Sequence, residues 1–191
     1  SAASDATIDN NFTTGGLDVA VANGTKAFQV WDDNVTGTPR FSVLRDGTVT
    51  APYTPAFLVH PASTQSDIPI NASTQVVWGT ERFDQGGDFA SNAFTAPVTG
   101  KYQLNLVMYL MNLDTGTTYY EILLVTSNKT YYSIIESDSL AADAAYWTTS
   151  CSFLVDMDAS DVAYVNLTIP NSGTTQVDIS AGSNFSGYLV C

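Results

Sequence analysis

The sequence predicts an all-β protein, and three observations favour that class. Short runs rich in Val, Ile, Thr, Tyr and Phe are separated by Gly, Pro, Asn and Asp along nearly the whole chain, as in a sandwich or barrel of short strands. No window of ten or more residues has a clear 3.6-residue apolar period, and only 139–145 could form one helical turn. Segment 101–112 alternates, so that one face carries Tyr102, Leu104, Leu106, Met108 and Leu110, whereas the other face is only partly apolar.

Composition restricts the partners of the chain. Apolar residues make up 45% of its 191 residues, which suffices for one core plus an appendage. The net charge of −13 argues against nucleic acid and against direct insertion into an anionic membrane, since both attract Lys and Arg. Only 13% of residues are charged, so the surface is rich in hydroxyl and amide groups. Such a surface suits contact with sugars, or simply solubility in a salty medium.

Few groups are available for catalysis. His60 is the single histidine, and the two cysteines, Cys151 and Cys191, form no C-x-x-C motif. An enzyme built from this chain would have to use carboxylates alone. We therefore predict a non-enzymatic protein with no catalytic residue and no required cofactor.

The first 55 residues differ from the rest. Short apolar strands recur at 17–19, 28–30 and 41–43, and polar turn residues follow each one. A single strand of this kind cannot bury its apolar face alone, whereas three chains wound together can. Segment 41–49 resembles a unit of phage tail-fibre shafts. We predict a β-rich fibre stalk over 1–55 and a head domain over 56–191, joined near Pro52 and Pro55. The alternative to a stalk is a pair of ordinary hairpins packed on the head.

Strands of the head are predicted at 56–61, 74–83 (with a bend), 94–97, 101–112, 117–126, 129–137, 147–157, 161–169 and 185–191. Two tyrosine pairs, 119–120 and 131–132, lie in such strands. Because side chains alternate across a strand, one tyrosine of each pair is expected to face the core. A sugar-stacking platform is the alternative reading of these pairs.

The spacing of several head residues resembles the C1q/TNF-like family. Phe83-Asp84 is followed by Phe94, Gly100 and Tyr102, and the chain ends with Phe185-Ser186-Gly187-Tyr188-Leu189. A short acidic turn at 158–161 also matches, although Ser160 and Leu104 stand where the family usually has Gly and Phe. The resemblance implies a ten-strand jelly-roll sandwich that forms a homotrimer, with the sheet of the long strand facing the threefold axis. The interface candidates on that mapping are Gln103, Asn105, Val107, Tyr109 and Met111.

The same resemblance implies free thiols. It places Cys151 and Cys191 two strands apart, with strand 101–112 between them. Two strand spacings are about 9.6 Å, whereas a disulfide needs Cα atoms within roughly 7 Å. A disulfide would need a different strand order.

If the chain enters the head from the stalk, the loops at the far end are 60–73, 112–118, 136–146 and 170–184. Long polar loops on a rigid scaffold are where binding concentrates. The predicted receptor-binding residues in these loops are Asn112, Asp114, Asp138, Asp143, Asn171 and Asp178. Threefold symmetry would bring the acidic ones near their copies, and some members of the family bind calcium at this end. A calcium ion at the trimer tip and a solvated acidic rim both remain open, and the absence of a calcium motif favours the rim.

These expectations combine into one leading function. The chain is predicted to be the receptor-binding tip of a trimeric phage tail fibre, located on the virion and attaching to a host-surface glycan or protein. A secreted, extracellular C1q-like recognition or signalling protein is the alternative, although collagen Gly-X-Y repeats are absent. A carboxylate-based glycan hydrolase ranks third.

Overall fold

The computed structural model describes residues 26–30, 39–44, 46–170 and 177–191. The chain divides into two compact units, 1–52 and 53–191. No helix in the described part is long and apolar enough to cross a membrane.

The first unit contains a three-stranded antiparallel sheet in the order β1-β2-β3, formed by β1 (Lys26–Val30), β2 (Phe41–Leu44) and β3 (Val49–Thr50). Two of the repeated segments pair directly, with Phe28 opposite Val43 and Val30 opposite Phe41. Gly47, with φ +86°, forms the turn between β2 and β3. The third repeat, at 17–19, lies outside the described residues. The stalk role of this unit therefore stays a prediction.

The second unit contains twelve strands within the described residues. They are β4 (Ala56–His60), β5 (Ser73–Gln75), β6 (Thr80–Gln85), β7 (Phe89–Ala90), β8 (Ala93–Thr95), β9 (Gly100–Leu113), β10 (Tyr119–Thr126), β11 (Thr130–Glu136), β12 (Ala144–Met157), β13 (Val162–Thr168), β14 (Asp178–Ile179) and β15 (Asn184–Leu189). A 3-10 helix, Ser137–Ser139, follows β11. The single helical turn predicted at 139–145 is therefore wrong in position, because β12 already begins at Ala144.

These strands form two antiparallel sheets that enclose one core. The β9 sheet has the order β12-β9-β15-β4-β6, with β14 also paired to β9. The β10 sheet has the order β11-β10-β13-β8-β7, with β5 also paired to β13. The predicted all-β sandwich is confirmed.

The bent strand predicted at 74–83 is instead two strands in different sheets. β5 pairs with β13, and β6 pairs with β4. Between them Val76 and Trp78 are both buried, and the backbone N–H of Trp78 donates to Asn92 Oδ1 at 2.8 Å. The chain crosses here from one sheet to the other, so a single strand register cannot persist.

The core follows from the alternation of β9. All five residues predicted for its inner face are at most 1% exposed. Phe94, Tyr102 and Phe185 of the fingerprint are buried in this core, whereas Phe83 and Tyr188 are 51% and 49% exposed. Phe57 stacks on Phe94 with 4.7 Å between ring centroids, and Phe94 contacts Tyr102 at 5.4 Å. The Tyr102 hydroxyl donates to the Val98 carbonyl at 2.7 Å, so its polar atom is satisfied inside the core. The buried residues of the fingerprint therefore specify packing.

Both tyrosine pairs divide as predicted. Tyr120 is fully buried, whereas Tyr119 is half-buried on the outer side of β10. Tyr131 packs against the core with its ring 5.1 Å from that of Phe153, and Tyr132 is exposed.

The acidic residue of the Phe83-Asp84 pair holds a turn. Its carboxylate accepts the N–H groups of Asp88 at 3.0 Å and of Phe89 at 2.9 Å. Gly86 and Gly87, with φ +110° and +76°, supply the left-handed backbone that this turn requires. Burial, and then the nearby Asp84 charge, raise the pKa of Asp88. Ser160 has a φ of +79°, which explains why the family usually places Gly at that position.

The predicted separation of the cysteines is confirmed. β9 lies between β12 and β15, and Cys151 is opposite Leu106 of β9. The Cys191 carbonyl accepts the Lys101 N–H at the far end of the same strand. Both thiols are free.

Gly187 occupies the tightest contact of the core. A Cβ atom there would lie 2.5 Å from Leu104 Cδ2 and 2.8 Å from Phe57 Cε1. We predict that Gly187→Ala lowers the free energy of unfolding by about 1–3 kcal/mol, because a well-packed core must shift to admit the methyl group. Urea denaturation measures this change. Ser186→Ala, on the outer side of the same strand, is the control and should change the free energy of unfolding by less than about 0.5 kcal/mol. Equal stability of the Gly187→Ala variant and the parent chain would contradict the packing argument.

Candidate functional site

Four loops meet at one end of the head, here called the distal end. Pro55 marks the opposite end, where its carbonyl accepts the Leu189 N–H at 3.0 Å. At the distal end, Gln65 and Ile179 form an antiparallel bridge that joins the loop after β4 to β14. The Ser137 hydroxyl donates to the carbonyls of Thr117 and Thr118, which joins the loops after β9 and β11. The described parts of the four loops therefore form one surface.

Two of the predicted acidic residues stabilise these loops. Asp178 accepts the Asp67 N–H at 2.9 Å through Oδ1 and the Asn112 side-chain amide at 3.1 Å through Oδ2. Asp143 accepts both the N–H and the hydroxyl of Thr115, at 3.0 and 2.8 Å. These hydrogen bonds lower the pKa of the Asp143 carboxyl. Both carboxylates thus shape the distal surface.

Asp114 and Tyr120 form a second link. The Asp114 N–H donates to the Tyr120 hydroxyl at 2.7 Å, and that hydroxyl donates to the Asp114 carbonyl at 3.0 Å. Burial raises the pKa of Tyr120, so the hydroxyl keeps its proton at neutral pH. The Asp114 carboxylate accepts the Gly116 N–H within its own turn.

Asp138 differs from the other predicted residues. It is exposed in the 3-10 helix, and its carboxylate has no partner among the described residues. It is therefore available to an external ligand. Asn171 lies outside the described residues.

Metal binding by one copy of the chain has no support in this geometry. Among the described residues, no three His, Cys, Asp or Glu side chains come close enough to hold an ion. A calcium ion needs six to eight oxygen ligands, which would have to come from several copies. Calcium at a trimer tip stays a prediction.

A second candidate surface is the outer face of the β9 sheet, here called the β9 face. The five predicted interface residues of β9 are half-buried and share this face. Gln103 Nε2 donates to Ser152 Oγ, and Ser152 Oγ donates to Asn105 Oδ1, both at 2.8 Å. The polar groups at the centre of the face are thereby satisfied by one another.

Large apolar side chains surround that polar centre. In the strand register, Tyr146 lies opposite Met111. Leu154 and Tyr188 lie on the two sides of Gln103. Phe83 lies opposite Leu58. These four apolar side chains are 49–66% exposed in the single chain. The alternation of β9 alone could not identify them, because their shared face depends on which strands pair with β9 and β4.

The β10 sheet also exposes apolar groups on its outer face. Tyr132 and Ile134 of β11 are exposed, and they lie opposite Leu123 and Glu121 of β10. Apolar exposure is therefore shared by both sheets. What distinguishes the β9 face is its internally satisfied polar centre.

Comparison with known proteins identifies the fold. No family model matches the sequence, and no curated protein matches it. Among solved structures, the globular domain of zebrafish complement 1qA is similar with a TM-score of 0.53 and 14% identity, covering 72% of this chain and 98% of that one. Murine APRIL at pH 8.5 is similar with a TM-score of 0.51 and 14% identity, covering 71% and 98%. At this identity the likeness establishes a C1q/TNF-like jelly roll and nothing finer, in agreement with the predicted fold.

The Asp143 contact gives a test of the distal loops. We predict that Asp143→Ala lowers the protection of the Thr115 amide against hydrogen exchange, because the N–H loses its acceptor. In the parent chain the folded pKa of Asp143 lies below its ordinary value of 3.8. The contact is therefore fully present above pH 3.8 and is lost as pH falls through the lower, folded pKa. NMR-detected exchange measures the protection factor at each pH.

Asp138→Ala is the matched control, because its carboxylate has no partner among the described residues. It should leave the Thr115 protection unchanged. If both variants have the same effect, the Asp143 contact does not hold this loop.

Proposed function

We propose that this chain is the non-enzymatic receptor-binding tip of a trimeric phage tail fibre. It attaches a virion to a glycan or protein on the host surface. The observation that carries the proposal is the position of the four polar loops, which lie together on a rigid sandwich opposite Pro55. A stalk that joins the head near Pro55 would present these loops outward.

The β9 face supports a homotrimer. A monomeric protein rarely exposes a large contiguous apolar surface, and such surfaces usually mark protein contacts. The polar side chains of Gln103, Asn105 and Ser152 satisfy one another, so burying them would leave few unpaired groups. Those two properties make the face suitable for contact between copies.

The first unit supports the fibre stalk. Its three strands leave Phe28, Val30 and Val49 exposed, although its sheet is too small to form a core of its own. Winding three copies together would bury these side chains. The resemblance of segment 41–49 to a unit of phage tail-fibre shafts favours the same threefold arrangement.

The available chemistry supports binding over catalysis. Three of the predicted distal carboxylates accept hydrogen bonds from loop groups, and the single histidine is hydrogen-bonded at Nδ1 to the Pro61 carbonyl. Distal carboxylates used in this way are poorly suited to act as a general acid and base. The tip surface thus offers recognition through polar loops.

A secreted C1q-like recognition or signalling protein is the second candidate. The similar solved structures are animal proteins, from zebrafish and mouse, which favours it. The fibre-like strands at 26–50 favour the phage protein. The genes next to the coding sequence discriminate between the two, because tail or capsid genes would accompany only a phage fibre.

The trimer can be tested with a charge placed on each outer face. We predict that Val107→Glu converts the trimer to monomer, because it places three like charges in the buried contact. Native mass spectrometry measures the assembly. Leu123→Glu is the matched control, since Leu123 is also half-buried on a central strand but lies on the outer face of the β10 sheet. A monomeric parent chain, or dissociation by L123E alone, would refute the assignment of the interface.

Attachment can be tested at the distal end. We predict that Asp138→Lys reduces binding of the labelled trimer to host cells about tenfold, the loss expected from one charged contact. Flow cytometry over a panel of candidate hosts measures the binding. Asp156→Lys makes the same charge change on β12 near the opposite end and should bind like the parent.

Incubation with purified surface polysaccharide separates attachment from hydrolysis. We expect binding without release of reducing ends. Release of product would identify a hydrolase and overturn the non-enzymatic proposal.

A further inference from the structure

A cavity of about 380 Å³ lies on the outer side of the β9 sheet, apart from the distal carboxylates. β4 contributes Leu58 and His60, β6 contributes Arg82, and the segment 181–184 closes the other side. Its volume is within the range of small-molecule sites in proteins, at the size of a single sugar ring. The cavity borders the β9 face, because Asn184 lies opposite Val107 of β9.

A β-bulge directs Arg82 into this cavity. Leu58 pairs with Phe83, but the next residue of β4, Val59, pairs with Glu81, so Arg82 is the extra residue. A bulge re-aims a side chain that regular pairing would send to the opposite face. Arg82 consequently lines the same cavity as Leu58 and His60. Sequence periodicity alone gives no sign of this placement.

The cavity is electrostatically unlike the rest of the chain. The chain carries 19 Asp and Glu against six Lys and Arg, yet none of the cavity-lining residues is acidic. The Arg82 guanidinium is exposed and has no ion-pair or hydrogen-bond partner among the described residues. A planar guanidinium binds a carboxylate through two parallel hydrogen bonds. Arg82 therefore gives this cavity one unpaired positive charge on an acidic protein.

The remaining walls suit a sugar ring better than a bare anion. The Asn184 side-chain amide, which has no partner among the described residues, offers both a donor and an acceptor. Leu58 supplies an apolar wall. His60 Nδ1 is held by the Pro61 carbonyl at 2.9 Å, whereas its Nε2 is buried without a partner. Buried polar atoms without partners are rare in folded proteins, but this nitrogen has no accessible surface and is therefore not offered to a ligand in the cavity.

We propose that this cavity binds an acidic monosaccharide unit, with the sugar carboxylate on Arg82 and ring hydroxyls on Asn184. The carboxylate explains the unpaired guanidinium. The ring explains the cavity volume, the amide and the apolar wall. The site does not depend on a fibre or a host. It lies at the β4–β6 edge of the β9 sheet, so the proposal requires that this edge stays open in the assembled protein.

The test uses the full chain, isotopically labelled for NMR, and two carboxylated sugars, glucuronic acid and N-acetylneuraminic acid. Saturable shifts of the Gly182 and Asn184 amides and of the Arg82 side-chain N–H are expected with at least one of them. Glucose has the ring of glucuronic acid without its carboxylate, and acetate has the carboxylate without a ring. Glucose and acetate should both bind at least about tenfold more weakly than the preferred acidic sugar, because glucose lacks the carboxylate and acetate lacks the ring.

Arg82→Gln should weaken binding of the preferred sugar about tenfold or more, the effect of losing a charge-assisted hydrogen-bonded pair. Lys101→Gln is the matched control. It removes the same charge from an exposed side chain at the other end of the sheet and should bind like the parent. Native mass spectrometry of both variants checks that the assembly is unchanged.

Three outcomes would overturn the proposal. Absence of saturable shifts with both acids excludes the site. If acetate binds as tightly as the preferred acidic sugar, the cavity is a simple anion site. If glucose binds as tightly as that sugar, Arg82 has no role in recognition. Loss of cell attachment in the Asp138→Lys variant with sugar binding retained would leave this site intact, so the two proposals fail separately.

Discussion

The strict alternation of β9 is the constraint on which the rest of the head depends. β9 is hydrogen-bonded to β12 on one side and to β15 and β14 on the other, so neither of its edges is free. Alternate residues fill the core, and those between them form the β9 face. A one-residue slip would exchange these two sets and place Gln103 and Asn105 among the aromatic rings. The core and the candidate interface are therefore specified by the same fourteen-residue strand.

Close packing fixes that register in space. Gly187 brings β15 against Leu104 of β9 and against Phe57 of β4, where no Cβ atom fits. Phe57 in turn stacks on Phe94, which belongs to the opposite sheet. One small residue thus permits the contact that joins three strands and both sheets. Three residues of the family fingerprint, Phe94, Leu104 and Gly187, meet in this cluster although they are distant in the sequence.

The sequence predicted what depends on local alternation, and it failed where the chain changes sheets. The inner face of β9 and the division of both tyrosine pairs follow from periodicity, and the separation of the cysteines follows from the strand order that the C1q/TNF-like resemblance implies. The sequence predicts one strand over 74–83, yet Val76 and Trp78 are buried while the chain passes between sheets. Tyr146, Leu154 and Tyr188 belong to the β9 face through pairing register, and register is a property of strands distant in sequence.

The charges of the head illustrate why residue type alone cannot identify a site. Acidic residues in distal loops suggested ligand contact, but Asp143 and Asp178 accept hydrogen bonds from neighbouring loops and hold those loops in place. A carboxylate already engaged in this way offers less to a ligand than an unengaged one such as Asp138. Arg82 presents the converse case, a cation that a bulge directs to a cavity without an acidic neighbour in its lining. Free hydrogen-bonding capacity, which only the folded chain reveals, is thus a better guide to binding than the density of charged residues in the sequence.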